Sequence, residues 1–259
     1  MEKRILNYYY ALKNMYVDDI NRKDRYTLIK SHIIDDGIWN FICNLNVRNI
    51  NEIQDLLDLN RNSFINSTPR FYILQDEPIS NMIKQIKEKY NLYCKDSWFC
   101  TNLKDLDLNY KSKISININI SKNKNEVIDT IMKGFSTGDP NDPYGDLSPL
   151  YRCALETNWN KMVRDYKSIH YIAYFNNQPV SIATATFKKD YAYLNNVTTL
   201  KEYKGMGIAK ELLTFLINDL KNKNINYIVF ATETGEYTEA FYKKLGFKII
   251  NYGYCFEEK

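Results

Sequence analysis

The second half of the chain carries a strong alternation of apolar and polar positions, and its period switches repeatedly between that of a strand and that of a helix. "KISININI" (residues 113–120) alternates singly, as a half-buried strand does, and "KNEVIDTIMKGF" places Val127, Ile128, Ile131 and Met132 on one helical face. The stretch 136–150, "STGDPNDPYGDLSPL", is rich in Asp, Pro and Gly and reads as a loop, followed by helical "YRCALETNWNKMVRDY". Three strands come next, "IHYIAYF", "PVSIATATF" and "YAYLNNVTT". The breaks "NNQP" and "KKD" suit hairpin turns, so these strands are expected to run antiparallel. After a glycine-containing turn, "IAKELLTFLINDLKNKN" keeps Ile208, Leu212, Phe215, Leu216 and Leu220 on one helical side. "INYIVFAT" is a continuous apolar strand of the kind buried on both faces. "EYTEAFYKKLGF" is a short helix closed by Gly246, and "KIINYGYCFEE" supplies the last strand.

A strand, helix, buried strand and helix joined to an antiparallel meander predict an α+β fold: a mixed, mainly antiparallel sheet with helices on both faces. The first half carries a fainter echo of the same order. "GIWNFICNLNV" (37–47) reads as a strand, and "NINEIQDLLDLNRNSFI" as a helix with Ile50, Ile53, Leu56 and Leu57 in register. "RFYIL", "SNMIKQIKEKY" and "LYCKDSWFC" then read as strand, helix and closing strand. The first copy has "NVRNINE" where the second has its glycine turn, and residues 103–112 read as the linker. The expected division is 1–112 and 113–259.

Composition narrows the class. An apolar content of 44% with 25% charged residues is that of a globular chain, and no apolar run is long enough for a membrane span. The N-terminus lacks a secretory signal, so the cytoplasm is expected. A net charge of +4, with lysines such as Lys84, Lys87 and Lys89 at solvent-facing spacings, gives no case for nucleic acid. Five cysteines without a CxxC pair and only His32 and His170 assemble no zinc-ligand spacing, so no metal is expected, and most of the thiols read as buried and free. Two histidines also make a Ser/His or Cys/His nucleophilic centre a poor fit.

The chemistry concentrates at "VTTLKEYKGMGIAKELL" (197–213). A strand end leads through Gly205 and Gly207 into a helix whose first amides and dipole favour an anion, with Lys204 and Lys210 at its flanks. A P-loop would need GxxxxGK followed by Ser or Thr, and a Rossmann turn would need a third glycine where Lys210 stands. Taken alone, the glycines serve equally well to shape a tight turn.

"KGMGIA" (204–209) and "EAFYKKLGF" (239–247) together resemble the GNAT superfamily of acyl-CoA-dependent N-acyltransferases, whose signature is [Gln/Arg]-x-x-Gly-x-[Gly/Ala] at this turn and "FYxKxGF" in the later helix. Lys204 departs from the usual Arg or Gln; it keeps a donor and loses the planar fork. The resemblance covers about residues 115–257 and makes the first half a smaller, degenerate GNAT-like α/β domain of a tandem-type chain. It implies acetyl-CoA as co-substrate, with pantetheine along Val197, Thr198 and Thr199 and pyrophosphate on the turn formed by Lys204, Gly205, Met206, Gly207, Ile208, Ala209 and Lys210. It implies direct attack by a primary amine of a small molecule or peptide, with Tyr242 as general acid to the leaving thiolate and a backbone amide near Thr199 stabilising the oxyanion. "YAYLNNVTT" has no carboxylate, so Glu233 and Glu236 stand as candidate bases, beside a water chain. The loop 134–150, with Asp139, Asp142, Asp146 and Tyr144, is where such enzymes take the acceptor, although Asp-Pro and Asp-Gly pairs are also ordinary turn formers. A homodimer is compatible with the resemblance. The alternative is a catalytically silent CoA-binding or scaffolding protein of the same fold.

Overall fold

Asn176 and Asn177 take φ of 49° and 61°, the two consecutive left-handed residues that a two-residue hairpin needs, and they fold the centre of the chain back on itself. The computed structural model describes residues 3–64, 68–135, 146–164 and 168–259. Its first half contains α1 (Lys3–Ala11), β1 (Asp19–Arg22), β2 (Thr27–Lys30), β3 (Phe41–Cys43), α2 (Ile50–Asn60), β4 (Arg70–Leu74), α3 (Ile83–Lys89) and β5 (Tyr90–Asn102). The second half contains β6 (Asn117–Ser121), α4 (Lys124–Gly134), α5 (Pro149–Arg164), β7 (Ile169–Phe175), β8 (Gln178–Lys188) and β9 (Tyr191–Thr199). It ends with α6 (Ile208–Asn222), β10 (Tyr227–Glu233), α7 (Tyr237–Lys244) and β11 (Ile249–Glu258).

The expected elements of the second half are present, with the first strand confined to Asn117–Ser121. The first half differs more. The strand expected over 37–47 is only Phe41–Cys43 behind a turn of 3₁₀ helix, and the N-terminal stretch forms α1, which buries Ile5, Leu6 and Tyr9. The hairpin β1–β2 was not anticipated either.

All eleven strands form one sheet in the order β1-β2-β3-β4-β11-β5-β10-β9-β8-β7-β6. Its centre is an exchange. β3 and β4 are parallel across the α2 crossover, as β9 and β10 are across α6, so the two copies match. The closing strands, however, change places: β5 pairs with β10 and β11 pairs with β4, while β5 and β11 pair with each other, all antiparallel. The sheet is therefore continuous across the division at residue 112. The connecting residues also pack: Leu103, Leu106 and Leu108 are buried, and the Ser112 amide and the Lys111 ammonium bond Glu211 of α6 at 2.9 and 3.0 Å.

The two faces have different occupants. α6 and α7 cover one face, burying Leu212, Leu216 and Tyr242 with Phe99 and Phe230. On the other, α1, α4 and α5 enclose Tyr9, Trp39, Trp98, Ile128, Leu155 and Tyr193 in a core to which both halves contribute.

Candidate active site

β9 and β10 pair only from Tyr191↔Tyr227 to Tyr193↔Val229, after which no ladder joins them. β10 runs on to Glu233 alongside β5, and β9 runs on to Thr199 alongside β8, so the sheet opens between them. A bulge accompanies the divergence. Ile182↔Thr198 and Thr184↔Asn195 leave one residue of β8 facing Asn196 and Val197, and Asn196 takes φ of 51°. The first half braces this bulge: the Tyr16 hydroxyl donates to Asn196 Oδ1 at 2.7 Å. Thr198 Oγ1 donates to the Gly134 carbonyl at 2.7 Å, where a Cβ on Gly134 would lie 2.1 Å from Thr198 Cγ2. Ser181 Oγ donates to the Thr198 carbonyl at 2.8 Å. The side chains of Asn196 and Thr198 are thus tied into the fold, and what Val197–Thr199 offers the gap is its backbone. On the bordering strands, Asn195 Oδ1 of β9 and Thr232 Oγ1 of β10 are buried without a hydrogen-bond partner among the described residues.

The glycine turn lies at the end of β9. Gly205 and Gly207 take φ of 77° and 84°, the left-handed region that side chains strain to reach. Gly207 is the N-cap of α6, and no side chain caps it, whereas α2 and α4 begin under the side chains of Asn49 and Asn123. A Cβ on Gly205 would meet nothing within 4 Å, so the turn faces open space, while one on Gly207 would lie 3.4 Å from Ser112 Cα. Lys204 is part-buried, and burial lowers its pKa; Lys210 lies over the Tyr110 ring at 5.0 Å. Burial alone would oppose a charge on Glu211, but hydrogen bonds from Ser112 and Lys111 outweigh it and hold the carboxyl below its usual range. That anion is therefore neutralised from the linker side.

Tyr242 comes from α7. Gly246, at φ of 89°, ends that helix with Gly246 and Phe247 amides bonding the carbonyls of Lys243 and Tyr242 at 3.0 and 3.1 Å. The turn into α7 is fixed by Glu239, which accepts from the Gly235 amide at 2.7 Å and from Ser97 Oγ of β5 at 3.0 Å. The Tyr242 ring packs 4.4 Å from Phe230, and burial raises its pKa, with Tyr8 on the opposite face of the sheet adding to the rise. Tyr8 lies against Trp98 at 5.2 Å and Tyr193 at 6.4 Å, beneath the point where β9 and β10 part. Glu233 is part-exposed at the end of β10, and Glu236 is exposed at the start of α7 with no capping bond.

Val197–Thr199 and Glu233 thus lie on the two strands that part, the turn 204–210 follows β9, and Tyr242 packs against Phe230 of β10. The expected acceptor loop is seen only at its ends: Asp139, Asp142 and Tyr144 lie outside the described residues. What the sequence reading did not include is the share of the first half, namely Tyr8, Tyr16 and Asp96. Asp96 carried a signal, being a carboxylate on the same strand face as Cys94, Trp98 and Cys100, where apolar residues are the rule. Among the described residues no group of three or more His, Cys, Asp or Glu is placed to hold a metal, and no helix is long and apolar enough to cross a membrane. Of the five free cysteines, Cys43, Cys100 and Cys255 are buried, Cys94 is partly so and Cys153 is exposed.

Residues 132–247 match the acetyltransferase (GNAT) family. The structure resembles a conserved protein of unknown function from Staphylococcus epidermidis (TM-score 0.65, 15% identity, covering 95% of this chain and 96% of that one). It also resembles a GCN5-related N-acetyltransferase from Kribbella flavida (TM-score 0.63, 10% identity, 93% and 89%). A tandem GNAT protein of the clavulanic acid biosynthesis pathway is similar too (TM-score 0.52, 10% identity, 78% and 66%). At such identities the likeness is one of fold. Comparison with curated proteins finds no significant match. An antiparallel meander, a bulged strand that parts from its parallel neighbour, and an uncapped glycine turn between them all fall inside residues 132–247, the segment that matches the acetyltransferase (GNAT) family.

Proposed function

We propose that this protein transfers an acetyl group from acetyl-CoA, the co-substrate of its family, to a primary amine of a small molecule or peptide. The observation that carries the reading is the coincidence of two openings: the β9–β10 ladder stops at Tyr193↔Val229, and the turn at the end of β9 presents Gly205 to open space. The unpaired edge of Val197–Thr199 suits the amide groups of pantetheine, which add to a strand edge as a peptide does. Asn195 Oδ1 and Thr232 Oγ1 border the same gap and lack partners. The amides of residues 205–209, with Lys204 and Lys210, suit the pyrophosphate. An anion there would also offset the burial that lowers the Lys204 pKa.

In the reaction the neutral amine attacks the thioester carbonyl, the C–N bond forms, and the C–S bond breaks as the tetrahedral intermediate collapses. The oxyanion is met by a backbone amide near Thr199, and Tyr242 donates a proton to the departing thiolate. Its raised pKa keeps the phenol protonated throughout the neutral range. Glu233, beside the gap, is better placed than exposed Glu236 to take part in deprotonating the amine. The first half acts as the wall of the acceptor side, through Tyr8 and Tyr16.

Calorimetric titration with acetyl-CoA, followed by thiol release against a panel of primary amines, tests the proposal. Saturable binding with turnover is expected. Binding without turnover on any amine would leave a CoA-binding scaffold, and no binding would end both readings.

A further inference from the structure

We propose that Asp96, supplied by the first half of the chain, accepts the proton of the acceptor amine. The inference rests on the transfer reading above.

Position is the first argument. β5 pairs with β10 so that Asp96 stands opposite Glu233, and Trp98 opposite Ala231. Residues opposite each other in an antiparallel pair share a face, so both carboxyls lie on the side of α1 and α5, away from α6. Glu233 is four residues beyond Val229 and Val197 is four beyond Tyr193, the last pair to be joined, so Asp96 stands level with the bulge. The opening itself lies one strand over, on the far side of β10 from Asp96, so that Glu233 stands between Asp96 and the gap and Asn195 Oδ1, unpartnered among the described residues, lies across it.

The second argument is that Asp96 is held for a purpose the fold does not need. Like charges directly opposite in a ladder destabilise it, and no cation lies between Asp96 and Glu233 among the described ion pairs. Asp96 Oδ2 accepts from the Tyr72 hydroxyl at 2.8 Å, and that hydroxyl accepts from Trp98 Nε1 at 2.7 Å. Tyr72 belongs to β4, two strands away, and reaches Asp96 only by crossing β11 at Gly253, the residue paired with Asp96. A Cβ on Gly253 would lie 1.7 Å from the Tyr72 oxygen. The absence of a side chain at one position on β11 thus orients a carboxylate on β5.

The groups facing Asp96 are Tyr8 and Tyr9 of α1, Tyr72 of β4, Glu233 of β10 and Cys94 of its own strand. Burial among them pushes its carboxyl up to about 6; the Tyr72 bond opposes the rise and Glu233 adds to it. Such a group is ionised at neutral pH yet basic enough to take a proton from an ammonium held against it. One proton of the ammonium passes to Asp96 and on to water. After attack, a second leaves the nitrogen as the thiolate is protonated by way of Tyr242, so the sum is ammonium plus acetyl-CoA giving amide, free thiol and one proton released to water.

The test measures thiol release from acetyl-CoA with glycinamide and with 1,4-diaminobutane across pH, on the intact chain. In the native protein kcat/KM should rise through an acid limb near pH 6. Asp96→Asn should lose that limb and fall about 100-fold at neutral pH while binding acetyl-CoA within twofold of the native protein. Tyr72→Phe removes a hydrogen bond to the carboxylate and should move the limb to higher pH; Glu233→Gln removes the like charge and should move it lower. If Asp96→Asn does not fold, the two opposite displacements decide. A folded Asp96→Asn with native rate and limb, or a limb unmoved in both other variants, overturns the inference and leaves acetyl transfer standing. A native protein that binds acetyl-CoA and acetylates neither these amines nor any other of the panel overturns both.

Discussion

Gly205 holds φ of 77° with open space where a Cβ would point, so the Gly205→Ala exchange has two separable consequences. The backbone strain costs about 1 kcal/mol of stability, and the methyl enters the space assigned to phosphate. The expected outcome is a small loss in chemical denaturation together with at least a tenfold rise in the Kd for acetyl-CoA; native affinity would remove the phosphate from this turn. Tyr242→Phe should behave in the opposite way. No hydrogen bond of its hydroxyl occurs among the described residues, so stability should change by under about 0.5 kcal/mol. Yet kcat should fall about 100-fold at unchanged acetyl-CoA affinity, as stopped-flow and calorimetry would show. His170 carries a prediction for stability alone. It is 2% exposed, stacks on Trp159 at 5.3 Å and bonds Thr184 Oγ1 at 2.9 Å through Nδ1, while Nε2 has no partner among the described residues. Burial lowers its pKa from 6.5 to about 4. Between those values the unfolded chain binds the extra proton, so stability is lost as pH falls from 6.5 and the loss levels off near 4, at about 3 kcal/mol in all. Denaturant midpoints at pH 7 and pH 5 should differ less in His170→Asn than in the native protein; equal losses would contradict this.

Among the elements, the exchange of β5 and β11 has the most consequence. Residues 113–259 alone would leave β10 without its partner along Tyr227–Glu233, and β11 without β4 and β5. Bare strand edges of that length pair with other chains. Each half expressed alone should therefore aggregate, and co-expression of 1–112 with 113–259 should yield a soluble complex that copurifies. A stable, monomeric 113–259 fragment would show that the exchanged strands are dispensable. The elements that could be read in advance are those whose signal is local. α6 and α7 show in their periodicity, and Gly246 marks the end of α7 with its positive φ. "LYCKDSWFC" and "KIINYGYCFEE" read correctly as strands, but alternation records only which face is buried, not which neighbour binds the edge. The exchange could not be read for that reason. α1 escaped because Tyr8, Tyr9 and Tyr10 in a row blur the stripe formed by Ile5, Tyr9 and Leu12.

At the scale of the whole molecule the two halves are related as copies but not in their chemistry. The second supplies the bulged strand, the glycine turn and Tyr242; the first supplies Tyr16 against the bulge, Tyr8 beneath the gap and Asp96, across β10 from it. Of the proposed site, the turn and the helix after it were legible because Gly205, Gly207 and the "FYKKLGF" stretch are contiguous motifs. The contribution of the first half was not, because Tyr16 and Asn196 are 180 positions apart in the chain and meet only once the sheet is closed. The measurement that tests the central claim most directly is amide hydrogen exchange of the intact protein with and without acetyl-CoA. The account predicts slowed exchange confined to residues 197–199 and 205–209, the β9 edge of the gap and the turn that follows it. Protection elsewhere, with these amides exchanging as fast as before, would contradict it.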